Sequence, residues 1–285
     1  MKRLMMLSLV LVVFGVAPAR AGTFLFEVTR GGQTVYLLGS IHVARPDMYP
    51  LPEVMEQSFA ASDVLVVEVD VDRADQAAVM DLMTRHGMYP PGQTLSSSVN
   101  AATLELMRSL GHEPSMYDAM RPWMVVMNIQ MMEFMKLGYN PEQGVDQHFM
   151  TEARQRSMPV EELESMERQI ELLAGMSASD EDGFLYYSLL QMQSLGRIME
   201  RMSGMWRAGD VAGLTNLVFT ELYDPAYEEF YDSLLYTRNR DMAGVVERYM
   251  RNGRKAFVIM GAAHLLGDRG VLALLEQRGC RVVQQ

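Results

Sequence analysis

Two short segments of this 285-residue chain place a histidine three residues after a glycine, each time at the end of an apolar run. One is Tyr36-Leu37-Leu38-Gly39-Ser40-Ile41-His42 and the other is Val258-Ile259-Met260-Gly261-Ala262-Ala263-His264. An imidazole can offer one ring nitrogen as a base or metal ligand while a hydrogen bond holds the other. A third apolar run, Val64-Leu65-Val66-Val67, ends on Glu68. Two imidazoles and one carboxylate facing each other make a divalent-metal site with open positions. Taken singly, a Gly-x-x-His is a weak pattern, and a lone histidine is more often a hydrogen-bonded structural residue. Its repetition after two strand-like runs, beside an acidic strand end, carries the functional reading. Asp70 and Asp72 read as solvated carboxylates beyond the strand.

These residues can meet only if their strands are neighbours. A glycine at a strand end lets the backbone turn sharply, accepting positive φ and a close ligand approach. The carboxyl ends of strands in open α/β sheets are where ligands collect. Residues 24–29 alternate apolar and polar, Gly31-Gly32 follows, and residues 34–38 are again β-type, the pattern of a hairpin. Residues 63–70 form a continuous apolar run closed by acids, predicting a strand buried on both faces. Residues 255–260 and 281–283 predict two more strands. Helical patterns cover residues 51–62, 74–85 and 265–277. The middle reads as helices over residues 98–110, 122–137, 161–174, 184–206 and 227–250. The fold class is α/β (α+β): a small mixed sheet from both chain ends, about 22–93 and 252–285, with a large helical insertion, about 94–251, in one domain spanning 22–285.

Residues 1–21 read as an export signal: Lys2 and Arg3, an apolar run over 4–16, then Ala19-Arg20-Ala21. That predicts a periplasmic or secreted protein with no stable membrane insertion after cleavage. The leader holds three basic residues (Lys2, Arg3, Arg20) and no acid, so the remainder carries −14 against −11 for the whole chain. Such acidity argues against nucleic acid as a partner. Cys280, the only cysteine, excludes an intramolecular disulfide and a thiolate zinc site, and reads as a buried, inert thiol. The 27 methionines invite a Cu(I) role. However, Met116, Met120, Met124, Met127, Met131 and Met135 recur at spacings of three and four, which predicts a helix face meeting a core or partner groove. His148, in Asp146-Gln147-His148 at a helix start, lacks partners for a site. His86 and His112 read as surface loop residues. The run Glu161-Glu162 with Glu164 and Glu167 reads mostly as the solvated start of a helix. There is no P-loop, dinucleotide fingerprint, Gly-x-Ser-x-Gly elbow or His-Glu-x-x-His.

Leu38-Gly39-Ser40-Ile41-His42, Val67-Glu68-Val69-Asp70, Gly144-Val145-Asp146, Leu163-Glu164-Ser165, Arg238-Asn239-Arg240-Asp241-Met242 and Met260-Gly261-Ala262-Ala263-His264-Leu265 together resemble the motifs of the TraB/GumN family. That family includes the Tiki metalloproteases and is distantly similar to erythromycin esterases and ChaN-like haem-binding proteins. The resemblance implies an α/β core with helical insertions and a metal-dependent hydrolase site, a peptidase in Tiki-like members. By that likeness His42, Glu68 and His264 would hold a divalent metal, manganese or cobalt, with zinc as a further candidate. Glu68 or Glu164 would accept a proton. Arg238 would bind substrate or stabilise negative charge, and Asn239 would hold Arg238 in place. The partner is then a peptide or small-molecule substrate. Two rival readings stand beside it: a protein that sequesters a peptide or haem-like ligand without turnover, and a metal-free hydrolase with histidine as general base.

Overall fold

The computed structural model describes residues 22–225 and 228–285; the leader assigned to residues 1–21 lies outside them. Strands β1 (Leu25–Arg30) and β2 (Gln33–Ser40) form the expected hairpin, with Gly31 and Gly32 both at positive φ in the turn. Strands β3 (Val64–Val67), β4 (Val160–Glu162), β5 (Ala256–Gly261) and β6 (Arg281–Gln284) complete one sheet in the order β4-β3-β5-β2-β1-β6. The pairs β2–β5, β5–β3 and β3–β4 are parallel, while β1 is antiparallel to β2 and β6. The sheet is therefore mixed, and its parallel half aligns the carboxyl ends of β2, β5, β3 and β4 along one rim. Every residue of β3 and β5 is buried, as apolar runs covered on both faces should be.

The helical middle is not strand-free. The acidic run at 160–162 pairs with β3 as an edge strand, and the predicted helix over 161–174 starts only at Met166, capped by the Ser165 side chain. Glu161 is bonded to Tyr249 and to Arg254, at 2.7 Å, rather than standing in water at a helix start. The helix predicted over 265–277 is also broken. Ala262–Leu265 and Val271–Gln277 are separate helices, parted by Gly267 at φ +74°. Among the described residues no helix is long and apolar enough to cross a membrane.

Burial corrects four further readings. Asp70 is buried and paired with Arg154 at 2.5 Å, not solvated, and its N–H donates to Glu162 of the edge strand at 2.7 Å. Asp72 is exposed and meets the same arginine. His112 is buried against Tyr117, and His86 lies in the helix Gln76–Gly87. On the helix Pro122–Lys136 the core face is Trp123, Val125, Val126 and Ile129. Met127, Met131 and Met135 point to solvent, as does Met116 on a preceding turn. Cys280 is buried beside Met250, and burial raises its thiol pKa.

Candidate functional site

The two Gly-x-x-His turns end adjacent parallel strands, with Gly39 opposite Met260 and Ser40 opposite Gly261. Glu68 follows β3, which flanks β5 on its other side. Histidines 222 positions apart thereby face one carboxylate: His42 Nε2 lies 3.9 Å from Glu68 Oε1, and His264 Nε2 lies 3.8 Å from Glu68 Oε2. His42, Glu68, Arg238 and His264 line a cavity of about 200 Å³, closed on its apolar side by Leu172, Leu173 and Leu234. Neither turn glycine has positive φ, contrary to the sequence expectation. What both need is space. A Cβ on Gly39 would come within 2.9 Å of Phe24, and one on Gly261 would sit 3.0 Å from His42 Nε2 and 3.4 Å from Glu68 Oε1. The missing side chain of Gly261 leaves room for the His42 ring beside Glu68, and its N–H donates to Glu68 Oε1 at 2.6 Å.

Each imidazole is anchored through Nδ1. His42 Nδ1 donates to Asp146 Oδ2 at 2.9 Å. Asp146 lies in the first turn of the helix Val145–Gln155, which Phe149 pins to β5 through Phe257 at 5.0 Å and to the helix Glu53–Ala60 through Phe59 at 5.1 Å. Val145 N–H donates to Ile41 carbonyl at 3.1 Å, and a Cβ on Gly144 would collide with the His42 carbonyl at 2.4 Å. His264 Nδ1 donates to Asn239 Oδ1 at 2.6 Å. The Asn239 amide nitrogen is committed to the Arg269 carbonyl at 3.0 Å, so the oxygen must face the ring and Nδ1 must carry the hydrogen. Both Nε2 atoms are left toward the cavity.

The remaining site residues form a buried ion network. Arg238 opens the helix Arg238–Arg251 and donates from Nη2 to Glu68 Oε2 at 2.6 Å. Its Nε donates to both Glu164 oxygens, at 2.9 and 3.1 Å, and Nη2 also reaches Glu164 Oε1. Gln169 bonds Glu164 at 2.9 Å and Glu68 at 3.4 Å. Glu164 therefore faces Arg238 and Gln169, not the cavity, and Asn239 holds His264 rather than Arg238. Asp146 and Gln169 were passed over in the sequence reading. Asp146 carried a signal, as an acid in a quoted motif at a helix start. His148, set aside there, bonds Glu56 at 2.8 Å.

Electrostatics separate the two rings. The Asp146 carboxylate pushes the His42 pKa up to about 9, although that side chain is 62% exposed and solvent screens part of the attraction. Burial drives His264 down to about 4 and keeps it neutral. Burial pushes the Glu68 carboxyl upward, but His264, His42, Arg238 and the Gly261 N–H outweigh it and lower its pKa. Between pH 6.5 and about 4 the unfolded imidazole of residue 264 binds a proton that the folded one rejects. Its contribution to stability is thus complete above pH 6.5 and lost as pH falls through that window. His42 acts with opposite sign in a separate window, from 6.5 up to about 9. Urea unfolding of chelator-treated protein is expected to show the acid-side loss, and His264→Gln to flatten it. An unchanged slope in the variant would refute a neutral buried ring.

A mixed sheet with paired histidine turns and a buried carboxylate–arginine network at its parallel rim defines an α/β protein with a polar site built from both chain ends and the helical middle. The model of the TraB/PrgY/gumN family matches residues 24–284, and the chain belongs to that family. It is 26% identical over 254 residues to the uncharacterized protein YbaP of Escherichia coli (strain K12), covering 86% of this chain and 89% of that protein. The YbaP protein of Shigella flexneri gives the same identity and coverage. No solved structure matches the chain.

Proposed function

We propose that the chain is an exported metal-dependent hydrolase acting on a peptide or small-molecule substrate at the cavity between His42, Glu68 and His264. One observation carries this reading. Both imidazoles have their Nδ1 hydrogen committed to a fixed acceptor and their Nε2 aimed at the same carboxylate, the outer-shell arrangement that orients metal-binding histidines. Among the described residues no three His, Cys, Asp or Glu side chains are gathered closely enough to hold a metal ion. The fit lies in donor chemistry and charge. An ion would first have to displace the proton that Asp146 holds on His42; with both rings then neutral, Glu68, Glu164, Asp146 and Arg238 leave two net negative charges, which a divalent cation would balance. His42, His264 and Glu68 would hold the ion. When bound it would polarise a scissile carbonyl and acidify water.

The chain's own groups prepare that chemistry. Arg238 orients Glu68, its guanidinium being shared between Glu68 and Glu164. Glu164 and Gln169 hold Arg238 and Glu68 in register. Asp146 and Asn239 fix both tautomers. The leucines 172, 173 and 234 give the cavity an apolar wall. The test is metal content and hydrolysis of a peptide library by one purified batch, with and without chelator. Stoichiometric manganese, cobalt or zinc with chelator-sensitive cleavage is expected; full activity in metal-free protein would end the metal reading, and ligand retention without turnover would favour a binding protein. Gly261→Ala gives a second check. Its methyl meets the rotatable tip of His42, so the fold should survive while cobalt(II) affinity falls on the order of tenfold to a hundredfold. Equal affinity would show that the glycine is not needed.

A further inference from the structure

The helix Pro122–Lys136 carries Met124, Met127, Met131, Met132 and Met135 among its 15 residues. Its core face is filled by Trp123, Val125, Val126 and Ile129, and Met124 packs against the Leu82–Trp123–Ile170 cluster, so packing leaves only Met127, Met131, Met132 and Met135 unexplained. Met131, Met132 and Met135 are 37%, 40% and 64% exposed. Methionine at an exposed position gains little from burial, where lysine, glutamate or glutamine would serve helix and solubility equally well. Its distinctive feature there is a soft, neutral thioether on a chain with three rotatable bonds.

The spacing brings three such groups together. Met135 is four residues after Met131 and three after Met132, and residues so placed are neighbours on a helix surface, about 5–6 Å apart at Cβ. Three thioethers on one turn form an uncharged sulfur donor set, which prefers monovalent copper or silver to the oxygen- and nitrogen-seeking divalent ions. Glu133, between Met132 and Met135 in the chain, is occupied by Lys136 at 2.6 Å and stands 3.7 Å from His112. We propose that Met131, Met132 and Met135 form a surface site for a soft monovalent cation, Cu(I) or its analogue Ag(I), separate from the cavity at the sheet rim. Met127, one turn earlier and 46% exposed, extends the same thioether stripe.

The test uses the mature chain with Cys280→Ser in every sample, so that the buried thiol cannot take the probe. Silver(I) nitrate is titrated into protein labelled with carbon-13 in its methionine methyl groups. The methyl signals of Met131, Met132 and Met135 are expected to shift together and saturate at a single ion per chain. The triple variant Met131→Leu/Met132→Leu/Met135→Leu, whose exposed positions tolerate leucine, should lose that ion with unchanged circular dichroism. Met135→Leu alone should weaken binding on the order of tenfold or more, about 1.4 kcal/mol per tenfold. The same loss should appear when Cu(I) is partitioned against a colorimetric chelator. His42→Ala/His264→Ala should leave the silver titration unchanged, which separates this site from the rim cavity. Retention of the ion by the triple leucine variant would overturn the proposal. So would equal, independent shifts of every exposed methionine, or signals that broaden with protein concentration and ignore silver, which would assign the stripe to self-association.

Discussion

Replacing Arg238 by alanine is expected to lower the unfolding free energy by about 3–5 kcal/mol, the cost of stranding buried charge. The arginine side chain is 7% exposed, between Glu68 at 12% and Glu164 at 4%. Its guanidinium offers matching donors to both carboxylates and to the Leu234 carbonyl at 2.9 Å. Without it, two carboxylates 96 residues apart in the chain repel each other in a poorly hydrated space. The Glu68 pKa, now held down partly by Arg238, should climb. The deficit is therefore largest near neutral pH and shrinks as one carboxylate takes up a proton in acid. Arg238→Lys keeps the charge but loses the fork, and should recover only part of the loss. Urea unfolding at two pH values measures all of this. A cost under about 1 kcal/mol for the alanine variant would mean that the network relaxes into water and does not brace the rim.

The double variant His42→Ala/His264→Ala is expected to reduce bound cobalt(II) or manganese(II) to background and to lower hydrolytic kcat/KM by about a thousandfold or more, in the range of lost acid–base and ligand chemistry. Each single variant should fall most of the way, because residues that act as one unit are not additive. Their structural costs should differ. Truncating His42, at the exposed mouth, unpairs the Asp146 carboxylate, which is 18% exposed and keeps some access to water, whereas truncating His264 strands the Asn239 carbonyl oxygen in the interior, about 1–3 kcal/mol. Cobalt(II) absorption and thermal melts on the same samples separate loss of site from loss of fold. Metal retained at wild-type stoichiometry by the double variant would remove these histidines from the ligand set.

Local pattern made much of the frame legible. Alternation over β1 and β2, the Gly31-Gly32 turn and the solid apolar runs of β3 and β5 announce themselves within a few residues, because side-chain period and burial are local properties of a strand. The edge strand at 160–162 did not. Three residues rich in glutamate have neither strand length nor strand composition, and only pairing with β3 makes them one. The methionine stripe was legible only in part, for a related reason: Met120 and Met124 meet core clusters, while Met116, Met127, Met131 and Met135 face solvent. Periodicity shows that a face exists, but not whether anything covers it.

The sequence alone determined which residues had the chemistry: two imidazoles behind glycines, one carboxylate at a strand end, and one arginine able to bridge acids. Tertiary structure decided their relations. Parallel pairing of β2 with β5 brought His42 and His264 to one rim, and the helix at 145–155 carried Asp146 beneath His42. The Arg269 carbonyl turned the Asn239 amide so that its oxygen meets His264. These contacts span 25 to 221 positions along the chain. Hydrogen bonds and ion pairs depend on distances of a few ångströms that no spacing in one dimension encodes, so partnership is a property of the folded chain and donor type a property of the sequence.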